Sequence, residues 1–148
     1  LSMSEFDKDI YLLNCLNGTL NLRDGNFYPH KTSDYITKMA GVNYDPNAKS
    51  PRWIDFIDEV MCGDKEKADF FQKSLGYALT GDTRHESMFI LFGATTRNDK
   101  GTSMETFLNI CGDYGRCSRP ETIGMKINSS GSAPSEDVAR LAGARFVN

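Results

Sequence analysis

Metal-binding and redox signatures are missing from this chain. Its four cysteines (Cys15, Cys62, Cys111, Cys117) are scattered without a C-x-x-C pair, so no zinc site is expected. The two histidines, His30 and His85, have no second histidine or cysteine at ligand spacing, which assigns them to surface or capping roles rather than catalysis. No apolar run approaches the roughly 20 residues of a membrane span, so no membrane partner is expected. The start, LSMSEFDKDI, lacks the basic opening and apolar centre of an export signal, so the cysteines are read as reduced thiols of a cytoplasmic protein. Positive charge is not in excess either. A net charge of −3 argues that this stretch is not the main phosphate-gripping surface of a DNA-binding protein. What is present suffices for one globular core: 148 residues, of which 39% are apolar and 25% charged.

The first part of the chain reads as a small three-stranded meander. YLLNCLNGTLNLRDGNFYPH (11 to 30) carries Asn17-Gly18 and Asp24-Gly25, dipeptides suited to two-residue turns with positive φ. Leu20 and Leu22 alternate with Asn21, as in a half-buried strand. Such a meander needs another element to cover its apolar face. Two helices follow. Ser50 and Pro51 open the first, whose stripe is Trp53, Ile57, Val60 and Met61, with Gly63 as its stop. Asp64 caps the second, with Ala68, Phe71, Leu75 and Ala78 or Leu79 inward and Gly81 after it. That spacing assigns Trp53 and the phenylalanines to the core rather than to a base-stacking platform. Asp55, Asp58 and Glu59 read as a solvated helix face, not as an acid–base pair.

MFILFG (88 to 93) is a continuous apolar run, as expected of a strand covered on both faces in a parallel sheet. Thr102 to Ile110 reads as a helix with Met104, Phe107, Leu108 and Cys111 inward, and Arg145 to Val147 as the start of another strand. The fold class is therefore α/β (α+β overall). Between the apolar run and the helix lies GATTRNDKGTS, a near-match to the phosphate-loop pattern G-x-x-x-x-G-K-[ST]. Gly93, Thr95, Thr96, Arg97 and Asn98 supply a small-to-polar loop, Lys100 a point charge, and Thr102 the nearest hydroxyl for Mg²⁺. Two features depart from the pattern. Asp99 stands where the second glycine belongs, and Gly101 separates Lys100 from Thr102. The same residues also fit a plain helix start, with Thr102 and Glu105 as a capping box.

Five blocks, LLNCLNGTLNLRDGNFYPH, YDPNAKSPRWIDFIDEV, LGYALTGDT, FILFGATTRNDKGT and PSEDVARLAGARFVN, together resemble the phage and plasmid primase-helicases. The helicase part of that family belongs to superfamily 3, with poxvirus primase-helicases as relatives. The resemblance implies an N-terminal region over 1–82 and the start of a P-loop ATPase domain over 83–148, ending before the family's second acidic motif. It implies Mg-ATP as cofactor, DNA as the partner of a hexameric parent, and a homo-oligomer. The family's loop often reads T-R-N-G-K-G-T, which accommodates the extra residue. Lys100 would then contact the β- and γ-phosphates, with Thr102, or else Ser103, on the Mg²⁺ side.

Asp99 departs from that pattern. A carboxylate about 5 Å from a phosphate is unfavourable by roughly 3 kcal/mol at an effective dielectric near 20, about a hundredfold in affinity. No catalytic acid is expected within these residues, so hydrolysis by this stretch alone is not expected. Two other classes compete with the motor. One is a non-enzymatic oligomerisation or interaction module with a degenerate phosphate loop. The other is a small-molecule kinase, for which INSSGSAPSED offers no arginine-rich lid.

Overall fold

A computed structural model of the chain describes residues 2–93, 99–123 and 136–148. Strands β1 (Leu12–Cys15), β2 (Gly18–Asn21) and β3 (Phe27–Tyr28) form the antiparallel meander, in that order. Leu13 pairs with Leu20 and Cys15 with Gly18, so the first turn is Leu16-Asn17, one position earlier than the dipeptide suggested. Gly18 belongs to β2 for a steric reason. A Cβ there would lie 2.6 Å from both the Phe27 ring and the Tyr28 carbonyl oxygen, so only glycine lets β3 close in. The second turn spans residues 22–26 rather than two residues. Asn21 N–H donates to the Asn26 carbonyl and Gly25 N–H to that of Asn21, each at 2.8 Å.

Helix α1 (Pro51–Val60) begins with proline at its first turn as expected, but the Ser50 side chain makes no capping bond. Ile57 is fully buried, and Trp53, Phe56 and Met61 pack half-buried against the same core. The helix ends through two successive left-handed residues, Cys62 (φ 54°) and Gly63 (φ 74°). Helix α2 (Lys65–Ala78) is capped by Asp64, whose Oδ1 accepts from Lys67 N–H at 3.1 Å. Phe71 and Leu75 point inward, as their spacing predicts.

The apolar run at 88–92 departs from expectation. It forms no strand; Met88, Ile90 and Phe92 are exposed, Leu91 alone packs against the core, and Phe89 meets Phe70 edge-on. A strand needs a neighbour to take its backbone hydrogen bonds. Among the described residues, β4 (Gly115–Arg116) and β5 (Phe146–Val147) instead pair with each other, in parallel. Of the expected strand-loop-helix unit, the described residues form the helix alone.

That helix, α3 (Lys100–Cys111), buries Met104, Phe107 and Cys111, with Leu108 half-buried beside them. It stops at Gly112 (φ 54°), where a Cβ would fall 2.6 Å from Gly41 N and the Met39 carbonyl oxygen. Two short helices, α4 (Pro120–Ile123) and α5 (Glu136–Ala139), precede β5. One core unites Leu13, Cys15 and Ala40 with Ile57, Phe71 and Leu75, and with Met104, Phe107, Cys111 and Tyr114. It draws on residues from both sides of position 82.

Candidate phosphate-binding helix start

Helix α3 begins at Lys100, two residues before the expected Thr102. Asp99 precedes it in the left-handed conformation (φ 51°, ψ 20°), and its side chain makes no capping bond. Its carbonyl instead takes up the first helical bonds, accepting from Ser103 N–H at 3.0 Å and from Ser103 Oγ at 3.1 Å. The Ser103 side chain is accordingly buried.

This geometry removes the capping box. Thr102 lies inside the first turn, exposed, and so is Glu105. The Thr102 carbonyl accepts from Thr106 Oγ1 at 2.7 Å. The backbone N–H groups of Lys100, Gly101 and Thr102 precede the first intrahelical bond, which gives this end the partial positive charge of a helix start. Of the sequence-derived site, Asp99, Lys100, Gly101, Thr102 and Ser103 thus share one turn. Gly93 closes the apolar run on the other side, and Thr95, Thr96, Arg97 and Asn98 lie outside the described residues.

A groove of about 480 Å³ runs between this turn and α1, lined by Trp53, Phe56, Glu59, Asp99, Thr102 and Thr106 among others. The Trp53 and Phe56 rings form one wall, with centroids 5.7 Å apart. Arg52 and Glu59 pair across its rim at 3.6 Å. Trp53 therefore has two roles, packing against the core on one side and facing the groove on the other. The donor set of the first turn and the Thr102 hydroxyl fit a polyphosphate with its Mg²⁺. The Asp99 carboxylate lines the same groove and opposes it.

The remaining candidates stay outside the groove. His30 Nε2 donates to the Cys15 carbonyl at 2.8 Å, a tie that holds the chain after β3 against β1. His85 packs against Tyr77 at a tilt of 59°, with ring centroids 5.4 Å apart. Among the described residues, no three His, Cys, Asp or Glu side chains gather as a metal site. Also among them, no helix is long and apolar enough to cross a membrane.

Two polar constellations had no signal in the sequence. Arg145 donates to the Leu79 and Leu12 carbonyls, each at 2.8 Å, with its guanidinium 4.3 Å above the Tyr114 ring. Burial draws its pKa down from the usual arginine value. Burial pushes the Tyr114 hydroxyl up, and that oxygen accepts from Asn14 N–H (3.2 Å) while donating to the Lys38 carbonyl (3.3 Å). Near the end of α2, Asp82 Oδ2 accepts from Arg84 Nε and from the Tyr11 hydroxyl, both at 2.6 Å. Those two bonds, Arg84's foremost, hold the Asp82 carboxyl well below the ordinary carboxylate range.

Compared with known families, residues 1–62 match the family described as D5 N terminal like, the N-terminal domain of D5-like primase-helicase proteins. The match covers the meander and α1 and stops before α2. It fits the phage and plasmid primase-helicase family over that part of the chain and does not extend to α3. No curated protein matches the chain.

Proposed function

We propose that the primase-helicase-type N-terminal region runs on, in this chain, into the opening of a superfamily 3 ATPase domain. The parent protein would be a hexameric, ATP-dependent DNA helicase of a phage or plasmid. In this reading the first turn of α3 receives nucleotide phosphates. The N–H groups of Lys100, Gly101 and Thr102 and the Lys100 ammonium hold the β- and γ-phosphate oxygens. The Thr102 hydroxyl stands on the Mg²⁺ side, and Trp53 and Phe56 wall the groove beside it. Bound Mg-ATP would supply the phosphoryl group whose transfer to water drives strand separation in the parent.

The observation that carries this reading is the backbone of Asp99. A left-handed residue stands immediately before the lysine, where the family's loop has glycine. The turn is the one a glycine would make, with a carboxylate attached. Calorimetric titration with Mg-ATP tests it. Asp99→Gly should raise affinity about a hundredfold, and Lys100→Ala in that background should remove the gain. Absence of nucleotide binding by the Asp99→Gly protein overturns the reading.

A second reading, a non-enzymatic oligomerisation or interaction module, draws on the exposure of Met88, Ile90 and Phe92. Those side chains would meet another protein surface while Asp99 keeps nucleotide out. It requires sedimentation of the chain to show a self-associated species that Ile90→Asp disperses.

A further inference from the structure

Helix α3 meets its surroundings differently at its two ends. The groove runs between its first turn and α1, whereas its last turn is clasped by residues 39–41 of the family-matched region. Three hydrogen bonds make the clasp. Gly41 N–H donates to the Ile110 carbonyl at 3.0 Å, and Asp113 N–H to that of Met39 at 2.8 Å. Met39 N–H in return donates to Asp113 Oδ2 at 3.1 Å.

Two glycines let the chain segments come this close. A Cβ on Gly41 would lie 2.4 Å from the Asn109 carbonyl oxygen, roughly 1 Å short of ordinary contact. One on Gly112 would meet Gly41 N at 2.6 Å. Ala40 and Cys111, the residues between these contacts, are fully buried. The clasp is tied in turn to the meander. Ala40 N–H donates to the Asn14 carbonyl at 2.7 Å, and Leu16 N–H to that of Val42 at 3.0 Å.

Helix geometry turns this joint into a lever. Twelve residues at about 1.5 Å rise make α3 roughly 18 Å long, so a tilt of about 5° at its last turn moves its first by roughly 1.5 Å. Burial of Met104 and Phe107 holds the helix to the core but is non-directional. The hydrogen bonds and backbone contacts of the clasp have fixed geometry.

We propose that Gly41, Gly112 and Asp113 are positioning residues for the groove. From the far end of α3 they set where Asp99 and Thr102 stand against Trp53 and Phe56. The family-matched region thereby governs a groove whose other side lies beyond the family match. The effect on the groove stands without any ligand, while the effect on nucleotide affinity rests on the nucleotide reading of α3.

The test uses the whole 148-residue chain. Trp53 is the sole tryptophan and lines the groove, so acrylamide quenching of its fluorescence reads that wall without a ligand. Gly41→Ala should raise the quenching constant. Asp113→Ala, which removes one exposed acceptor and leaves the core intact, should raise it too. Asp113→Asn, whose amide oxygen still accepts from Met39 N–H, should restore the native value. Gly81→Ala is the control, because its Cβ would press to 2.9 Å from Ile10 Cβ at a joint that does not include α3. It should lower stability without moving the quenching constant. In the Asp99→Gly background, Gly41→Ala should weaken Mg-ATP binding about tenfold by misplacing the first turn, and Gly81→Ala should not. If the Asp99→Gly protein binds no Mg-ATP, the nucleotide reading fails and the quenching comparison still decides the clasp. Quenching that rises in neither Gly41→Ala nor Asp113→Ala, or that rises equally in Gly81→Ala, overturns the assignment.

Discussion

Arg145 stacks over Tyr114, its guanidinium carbon 4.3 Å from the ring centre, while Tyr114 reaches through its hydroxyl to Asn14 and Lys38. Together the two side chains tie β1, the segment before Ala40, the end of α2 and the approach to β5. Replacing Arg145 with Met keeps much of the volume but leaves the Leu79 and Leu12 carbonyls without their donors. The expected loss is about 2–4 kcal/mol of stability in urea unfolding, with Tyr114→Phe losing about 1–2 kcal/mol.

The geometry before α3 makes a stability prediction separate from nucleotide binding. Asp99→Gly relieves a left-handed L-residue but loosens the unfolded chain, so stability should change by no more than about 1 kcal/mol, in the stabilising direction. Thr102→Ala should be neutral within about 0.5 kcal/mol, because no capping bond is lost. Ser103→Ala should lose about 1 kcal/mol, because its buried hydroxyl bonds the Asp99 carbonyl. Thermal unfolding of the three variants checks this order.

Asp82 confers a pH dependence whose sign follows from its depressed pKa. The folded pKa lies below the unfolded value of about 3.9, so the contact stabilises the fold above that pH. The contribution is lost as pH falls through the folded value. Asp82→Asn should therefore be less stable than the native sequence at pH 7, and the gap should narrow progressively below about pH 4. Urea midpoints at pH 7, 4 and 2.5 measure it.

Phe71 and Trp53 should separate in their responses. Phe71 is 8% exposed, and Phe71→Ala should lose about 3–5 kcal/mol. Trp53 is half-buried at the groove, so Trp53→Ala should lose less, about 1–3 kcal/mol. Trp53 is also the sole tryptophan, so its fluorescence should respond when a nucleotide enters the groove of the Asp99→Gly protein. A fluorescence titration reads both the occupancy and the wall.

Legibility in the sequence followed the range of the forces involved. The meander and the two long helices were readable because their punctuation is local: Pro51, Asp64 and the alternation around Leu20 act within a few residues. Boundaries shifted where contact with a distant element decided them. Gly18 entered β2 because Phe27 packs over it, and α3 started at Lys100 because Asp99 adopts a left-handed turn that its residue type only tolerates. The run at 88–92 was misread because apolarity measures a strand's wish for cover, not the presence of a neighbour to bond with. That Lys100 and Thr102 share the first turn of one helix was legible, because only Gly101 separates them. Arg145 was not, since one arginine before a strand gives no hint of carbonyl partners at Leu12 and Leu79.

The bond between Leu12 and Arg145 spans a sequence separation of 133 residues. On a ribosome adding roughly 5–20 residues per second, the first strand is made some 7–27 s before the side chain that completes its surroundings. Through that interval the Leu12 carbonyl lacks the donor that Arg145 supplies. The order of synthesis therefore makes Arg145 the later partner of this bond, and the Leu12 carbonyl depends on other donors until Arg145 has been added.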